Sequence, residues 1–233
     1  MNDIPTIPLL SALVPAIVLL AYIYWNDRKS PEPLKQLLKA TALGVLSIPL
    51  TYLLVVPVEL AHILPDEVIS ISDAVSISFL GAALPEELAK LIVLWLFLRR
   101  NPHFDERMDG IVYAVCVSLG FAGLENIMYV LGDSEWMSVA LQRAFTAVPG
   151  HFCFGVLMGY FVSLAKFVPA QRIWYSALAL IVPVLVHGIY DTILFSMGTS
   201  FYEYFDTVLT VVFIVFCFLL WRWASRSIKK HLN

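Results

Sequence analysis

Glu86, Glu87 and Lys90, then Glu125 with Asn126, then His151, then His187 with Asp191 stand in four otherwise apolar stretches of the chain. Carboxylates and imidazoles gathered in a buried place can activate water. A buried glutamate is a good general base, and histidines with the Asn126 amide can hold the oxyanion of a tetrahedral intermediate. The same residues also read as a metal centre. His151 and His187 with Glu87 or Glu125 make a three-ligand zinc set, a second glutamate serving as base. The chain has no His-Glu-x-x-His, so zinc lacks its usual local signature. Both chemistries stay open on the residues alone.

Local spacing adds roles. Lys90 follows Glu86 by four residues and Glu87 by three, so on a helix it can pair with either and balance their charge. The two adjacent glutamates point about 100° apart, so only one faces a cavity squarely. Pro85 just before them predicts a kink or a helix start. Asp191 lies one turn beyond His187, where a carboxylate orients the imidazole and fixes its tautomer. Arg143 and Tyr129 either support the site or anchor helix ends.

These residues need a frame, and the composition says which. The chain has 233 residues, 60% hydrophobic and 14% charged, with a mean hydropathy of +0.80. A soluble domain carries about a quarter charged residues. The class is a polytopic, all-α membrane bundle forming one integral membrane domain over 1–233. No basic patch with interleaved aromatics is present, which excludes nucleic acid as a partner. Cys116, Cys153 and Cys217 lie in apolar runs and read as packing residues. Segments of about 20 apolar residues fall near 6–25, 34–57, 74–98, 110–131, 149–168, 173–197 and 205–223, predicting seven spans. The first lacks a basic start and a small-residue cleavage site, so it reads as a retained helix. Segment 136–148 is short and amphipathic and is expected in the interface. Asp109 is expected to cap the start of the fourth span, and Gly155 with Gly159 to let a neighbouring helix approach the fifth.

Charge sets the orientation. All Lys and Arg except Lys90 and Arg143 fall on one side of this seven-span arrangement, while Glu59, Asp66, Glu67, Asp73, Asp133, Glu135, Glu203 and Asp206 fall on the other. The basic side is cytosolic, which places the N-terminus outside and the C-terminus in the cytosol. At ~1.5 Å per residue, Glu87, Glu125, His151 and His187 lie ~18 to 24 Å from their cytosolic helix ends. Four residues on four helices thus share one depth in the outer half of the membrane. Charges there are costly and mark function.

The stretches Asp-Arg-Lys-Ser-Pro-Glu-Pro (27–33), Pro-Glu-Glu-Leu-Ala-Lys (85–90), Phe-Asp-Glu-Arg-Met-Asp-Gly-Ile-Val-Tyr (104–113), Gly-Phe-Ala-Gly-Leu-Glu-Asn-Ile-Met-Tyr (120–129), the run 143–151 and His-Gly-Ile-Tyr-Asp (187–191) resemble, in their order, the PrsW family of intramembrane proteases. The resemblance implies a prokaryotic, multi-pass protease of the cytoplasmic membrane that clips single-span anti-sigma factors near their extracytoplasmic side. It implies that Glu86, Glu87, Glu125, Asn126, His151 and His187 form the catalytic set. It also implies a distant likeness to the CAAX-prenyl-protease superfamily, whose phenylalanine four residues before the middle histidine is replaced here by Ala147. Whether Zn2+ is used stays open.

Two rivals belong to other classes. A proton- or cation-coupled transporter could use the Glu/His/Asp cluster as a relay, but transporters are commonly built from repeated halves, and no such symmetry is visible. A membrane scaffold would not need three glutamates at one depth.

Overall fold

The computed structural model describes residues 6–197 and 203–232, and in these every regular element is helical. The elements are α1 (Thr6–Asn26), α2 (Leu34–Leu60), α3 (Ile71–Ser76), α4 (Leu84–Leu98), α5 (Arg107–Gly132), α6 (Trp136–Phe145), α7 (Ala147–Phe167), α8 (Arg172–Ser196) and α9 (Glu203–Leu232). A single 3₁₀ turn, Pro169–Gln171, leads into α8.

Six stretches are long and apolar enough to cross a bilayer: Thr6–Asn26, Leu34–Leu60, Arg107–Gly132, Trp136–Phe167, Pro169–Ser196 and Phe205–His231. The expected span at 74–98 is not among them, and the reason is local. Ile71–Leu98 is helical from end to end but divided: α3 runs into a π-helical turn over Ile77–Ala83 and then into α4. Pro85 has no N–H to give to Gly81, and the Leu84 N–H reaches back five residues to Phe79. A missing donor and a widened turn are the usual partners of such a defect. The defect lies immediately before the charged residues that the segment carries.

The core is built around α5, which is buried without interruption from Met108 to Gly123. A helix apolar on all sides belongs at the centre of a bundle. Its neighbours approach closely because the contact residues are small. A Cβ on Gly159 of α7 would strike the Gly110 backbone, and one on Gly155 would come within 2.8 Å of the Ser118 side chain, so the predicted small-residue face of α7 packs on α5. At the start of α5, Asp109 accepts the backbone N–H groups of Asp105 and Glu106 and closes a capping box with Glu106, as expected of that residue.

Segment 136–148 resolves into α6 and the first turn of α7, broken at Thr146. Met137, Leu141 and Phe145 point outward along one stripe, while only Ala140 is buried. Arg143 leaves the opposite face toward the bundle. Cys116 and Cys153 are buried and Cys217 half-buried, all as free thiols.

Candidate active site

The Lys90 ammonium is the hub. It is fully buried and donates to Glu87 Oε1 at 2.8 Å and to Glu86 Oε2 at 3.2 Å, and it lies 3.2 Å from His151 Nδ1. Its fourth neighbour is the face of Phe121, 4.0 Å from the ring centroid, a favourable seat for a cation. Both glutamates therefore face the same ammonium despite their different directions on α4. They differ in access: the Glu86 side chain is 12% exposed and that of Glu87 fully buried. Glu87 Oε2 is enclosed and has no partner among the described residues.

The two histidines arrive from α7 and α8 with the same orientation. His151 sets Nε2 3.0 Å from Glu125 Oε2 and turns Nδ1 to Lys90. His187 sets Nε2 3.2 Å from Asp191 Oδ2 and turns Nδ1 to Glu87 Oε1 at 3.0 Å. Each ring is thus gripped from outside by a carboxylate and turns its inner nitrogen toward the Glu86–Glu87–Lys90 group, His151 to Lys90 and His187 to Glu87. A carboxylate on the outer ring nitrogen is the arrangement that orients metal-ligating histidines.

A second layer holds the first. Arg143 donates to Glu125 Oε2 at 2.7 Å and to Asn126 Oδ1 at 2.8 Å, and its guanidinium lies 4.0 Å from the Tyr129 ring centroid. Asn126 is fully buried and donates to the Ala12 carbonyl of α1 at 2.7 Å. Arg143, on α6, therefore ties α1 and α5 to the site. Ser118 fixes the His151 carbonyl at 2.6 Å.

All the residues singled out from the sequence are drawn into this one network. Glu86, Glu87, Lys90, His151 and His187 form its centre. Glu125 and Asp191 stand behind the histidines, and Asn126, Arg143 and Tyr129 stand behind Glu125. Sequence reasoning missed the aromatic walls. Phe154 stacks on His187 with centroids 4.6 Å apart, and Phe121 tilts against His151 at 5.5 Å. Phenylalanine is common in apolar spans, and only the spacing of Phe154, three residues after His151, gave a signal.

The donor set fits a metal. One ligand atom each from Glu86, Glu87, His151 and His187 lie within 4.8 Å of one another. Two imidazoles with carboxylate oxygen is a catalytic zinc set, and the unpartnered Glu87 oxygen is a free ligand atom. Glu125, also a candidate ligand from the sequence, lies on the far side of His151 from this group.

A family model described as PrsW family intramembrane metalloprotease matches residues 32–221. The chain belongs to the PrsW family. It is 37% identical over 221 residues to Protease PrsW of Geobacillus kaustophilus, covering 94% of this chain and 90% of that one. It is 35% identical to Protease PrsW of Bacillus subtilis, covering 94% and 93%, and 31% identical to that of Clostridioides difficile, covering 96% and 91%. No solved structure matches. The PrsW match spans every side chain of the network described above; the Ala12 carbonyl on α1 lies before it. Membership makes the chain an intramembrane peptidase, and it leaves the transporter and scaffold readings without support.

Proposed function

We propose that this PrsW protease hydrolyses a peptide bond of a membrane-anchored protein near the extracytoplasmic face of the cytoplasmic membrane, with Glu86 as general base. Counting the divided helix Ile71–Leu98 as a seventh crossing puts the N-terminus outside and the C-terminus in the cytosol, the arrangement that the distribution of basic residues favours. The observation that carries the reading is the convergence of two carboxylate-anchored histidines, through their inner nitrogens, on the Glu86–Glu87–Lys90 group.

Glu86 suits the base because it is the more accessible glutamate and has a single partner, Lys90. Glu87 is enclosed and its Oε1 already serves both Lys90 and His187. Glu86 takes a proton from water as the water oxygen adds to the scissile carbonyl carbon. It then returns that proton to the departing amide nitrogen as the C–N bond breaks. The Lys90 ammonium, and His187 with both ring nitrogens against carboxylates, supply the positive field in which an oxyanion can form. Glu125 and Asp191 hold the rings still, and the Phe121 and Phe154 walls keep the place dry.

Zn2+ fits the same residues: His151 and His187 through Nδ1, and Glu87 through a carboxylate oxygen, would hold it. The chemistry such an ion supplies when bound is polarisation of the carbonyl oxygen and acidification of water. The substrate class is a single-span protein, an anti-sigma factor being the kind that the family resemblance implies.

The test compares the N-termini of membrane proteins in cells expressing the wild type and the Glu86→Gln/Glu87→Gln double variant. New termini near the outer edge of a single-span protein, present only with the wild type, establish cleavage and name the substrate. Identical sets of termini, with the variant inserted and stable, overturn the proposal.

A further inference from the structure

A cavity of about 200 Å³ lies between the start of α7, α8 and α9, beside the network described above and not part of it. One wall is Thr146, just before α7, with Pro149, Gly150 and Cys153 of α7; the facing wall is Cys217, Leu220 and Trp221 of α9. Tyr190 of α8 closes it. Two hydroxyls interrupt the apolar lining: that of Thr146 donates to the Gln142 carbonyl at 2.7 Å, and the other belongs to Tyr190. The Tyr190 side chain is buried, its residue 3% exposed, and its hydroxyl has no hydrogen-bond partner among the described residues. An unsatisfied buried hydroxyl is costly, and a native structure that keeps one is holding it for something.

Position says for what. Tyr190 directly precedes Asp191, and Gly150 directly precedes His151. The Tyr190 ring packs edge-on against Phe154 at 5.9 Å, and Phe154 stacks on His187. The cavity is thus separated from the catalytic histidine by one ring. At Gly150 a Cβ would only touch the Phe154 and Tyr190 rings, at 3.5 Å. The missing side chain leaves the Tyr190 ring open to the cavity.

A membrane-spanning substrate must be unwound before its peptide bond can be attacked. Its freed carbonyls then need donors, since lipid offers none. From this we infer that the cavity is a side-chain subsite of the protease: it takes a bulky apolar side chain flanking the scissile bond, and the Tyr190 hydroxyl donates to a neighbouring substrate carbonyl. The inference rests on the proteolytic reading above and adds the preference of the site.

Two variants separate its two halves. Tyr190→Phe keeps the ring and its packing and removes only the donor. Cys153→Phe fills the cavity from α7. The probe is the set of membrane-protein N-termini generated in cells by each form, each first matched to wild type for membrane level and melting temperature in detergent. The wild-type termini are expected to share a bulky apolar residue at one fixed position beside the cut. Cys153→Phe shifts that position to small residues, and Tyr190→Phe keeps the preference while lowering the cleavage rate about five- to tenfold, the loss of one hydrogen bond. Gly150→Ala, which the geometry tolerates, gives a weaker shift in the same direction as Cys153→Phe. Unchanged residue preference in Cys153→Phe together with an unchanged rate in Tyr190→Phe overturns the subsite. Absence of wild-type termini is a different result and overturns the proteolytic reading itself.

Discussion

His187 Nε2 lies 3.2 Å from Asp191 Oδ2, across one turn of α8. The contact commits the outer nitrogen of the ring and leaves the inner one to face Glu87. Asp191→Asn keeps the size of the side chain and loses its charge. It should insert and fold normally and cut about 10- to 100-fold more slowly, the usual effect of removing such an orienting partner. Wild-type activity should fall on the acidic side of its pH profile as the glutamate base takes a proton. Cleavage rates of the two proteins from pH 5 to 8 check both points; a flat wild-type profile speaks against a glutamate base.

Lys90 neutralises two carboxylates in a place water barely reaches. Lys90→Met should destabilise the bundle by about 3–5 kcal/mol, because breaking a buried pair leaves charge without compensation. Adding Glu87→Gln to Lys90→Met should recover much of that loss. Thermal melts in detergent of the single and double variants measure it, and additive losses would mean that the pairing carries little of the stability.

Zinc content gives a reading independent of activity. The purified wild type should retain zinc by mass spectrometry, His151→Ala and His187→Ala should lose it, and Asp191→Asn should bind it about 10- to 100-fold more weakly. Equal traces in all four proteins would leave the histidines acting as proton-bearing groups alone.

The loop between α1 and α2 carries a different pH dependence. Asp27 accepts the Glu32 backbone N–H, and Tyr113 of α5 donates to Glu32. Burial pushes Asp27 up to about 7 and Glu32 up to about 8, with Asp109 adding to both and Glu106 to the first. Folded-state values above the unfolded ones mean that the folded protein holds extra protons. Their stabilisation is therefore present at acid pH and lost as pH rises toward 7 to 8. The melting temperature should fall between pH 5.5 and 8.5, and Glu32→Gln should flatten that fall. A wild-type melting temperature independent of pH would contradict it.

The sequence by itself determined the class and the cast. Apolar runs of membrane length leave a bundle as the solution for a chain so poor in charge, because backbone groups in lipid must be satisfied within each helix. Charged residues inside such runs are legible because their burial is expensive, and helical rise alone put Glu87, Glu125, His151 and His187 at one depth. Periodicity within one helix also gave the His187–Asp191 and Lys90–glutamate contacts, now seen at 2.8 to 3.2 Å.

Only the tertiary structure decided which partner each of these residues takes across helices. Depth fixes height and leaves azimuth free, so the sequence could not say that Glu125 stands behind His151, while Glu86 shares Lys90 with Glu87 in front of it. Nor could it say that Arg143 turns inward, from a helix whose Met137, Leu141 and Phe145 point outward, to hold Glu125 and Asn126. The π turn before Pro85 was hidden for a similar reason: a proline signals a lost donor, and whether the helix kinks, ends or widens depends on what packs around it. The Tyr190 cavity depends on three helices leaving a gap between them, a property of their packing that no single stretch of sequence contains.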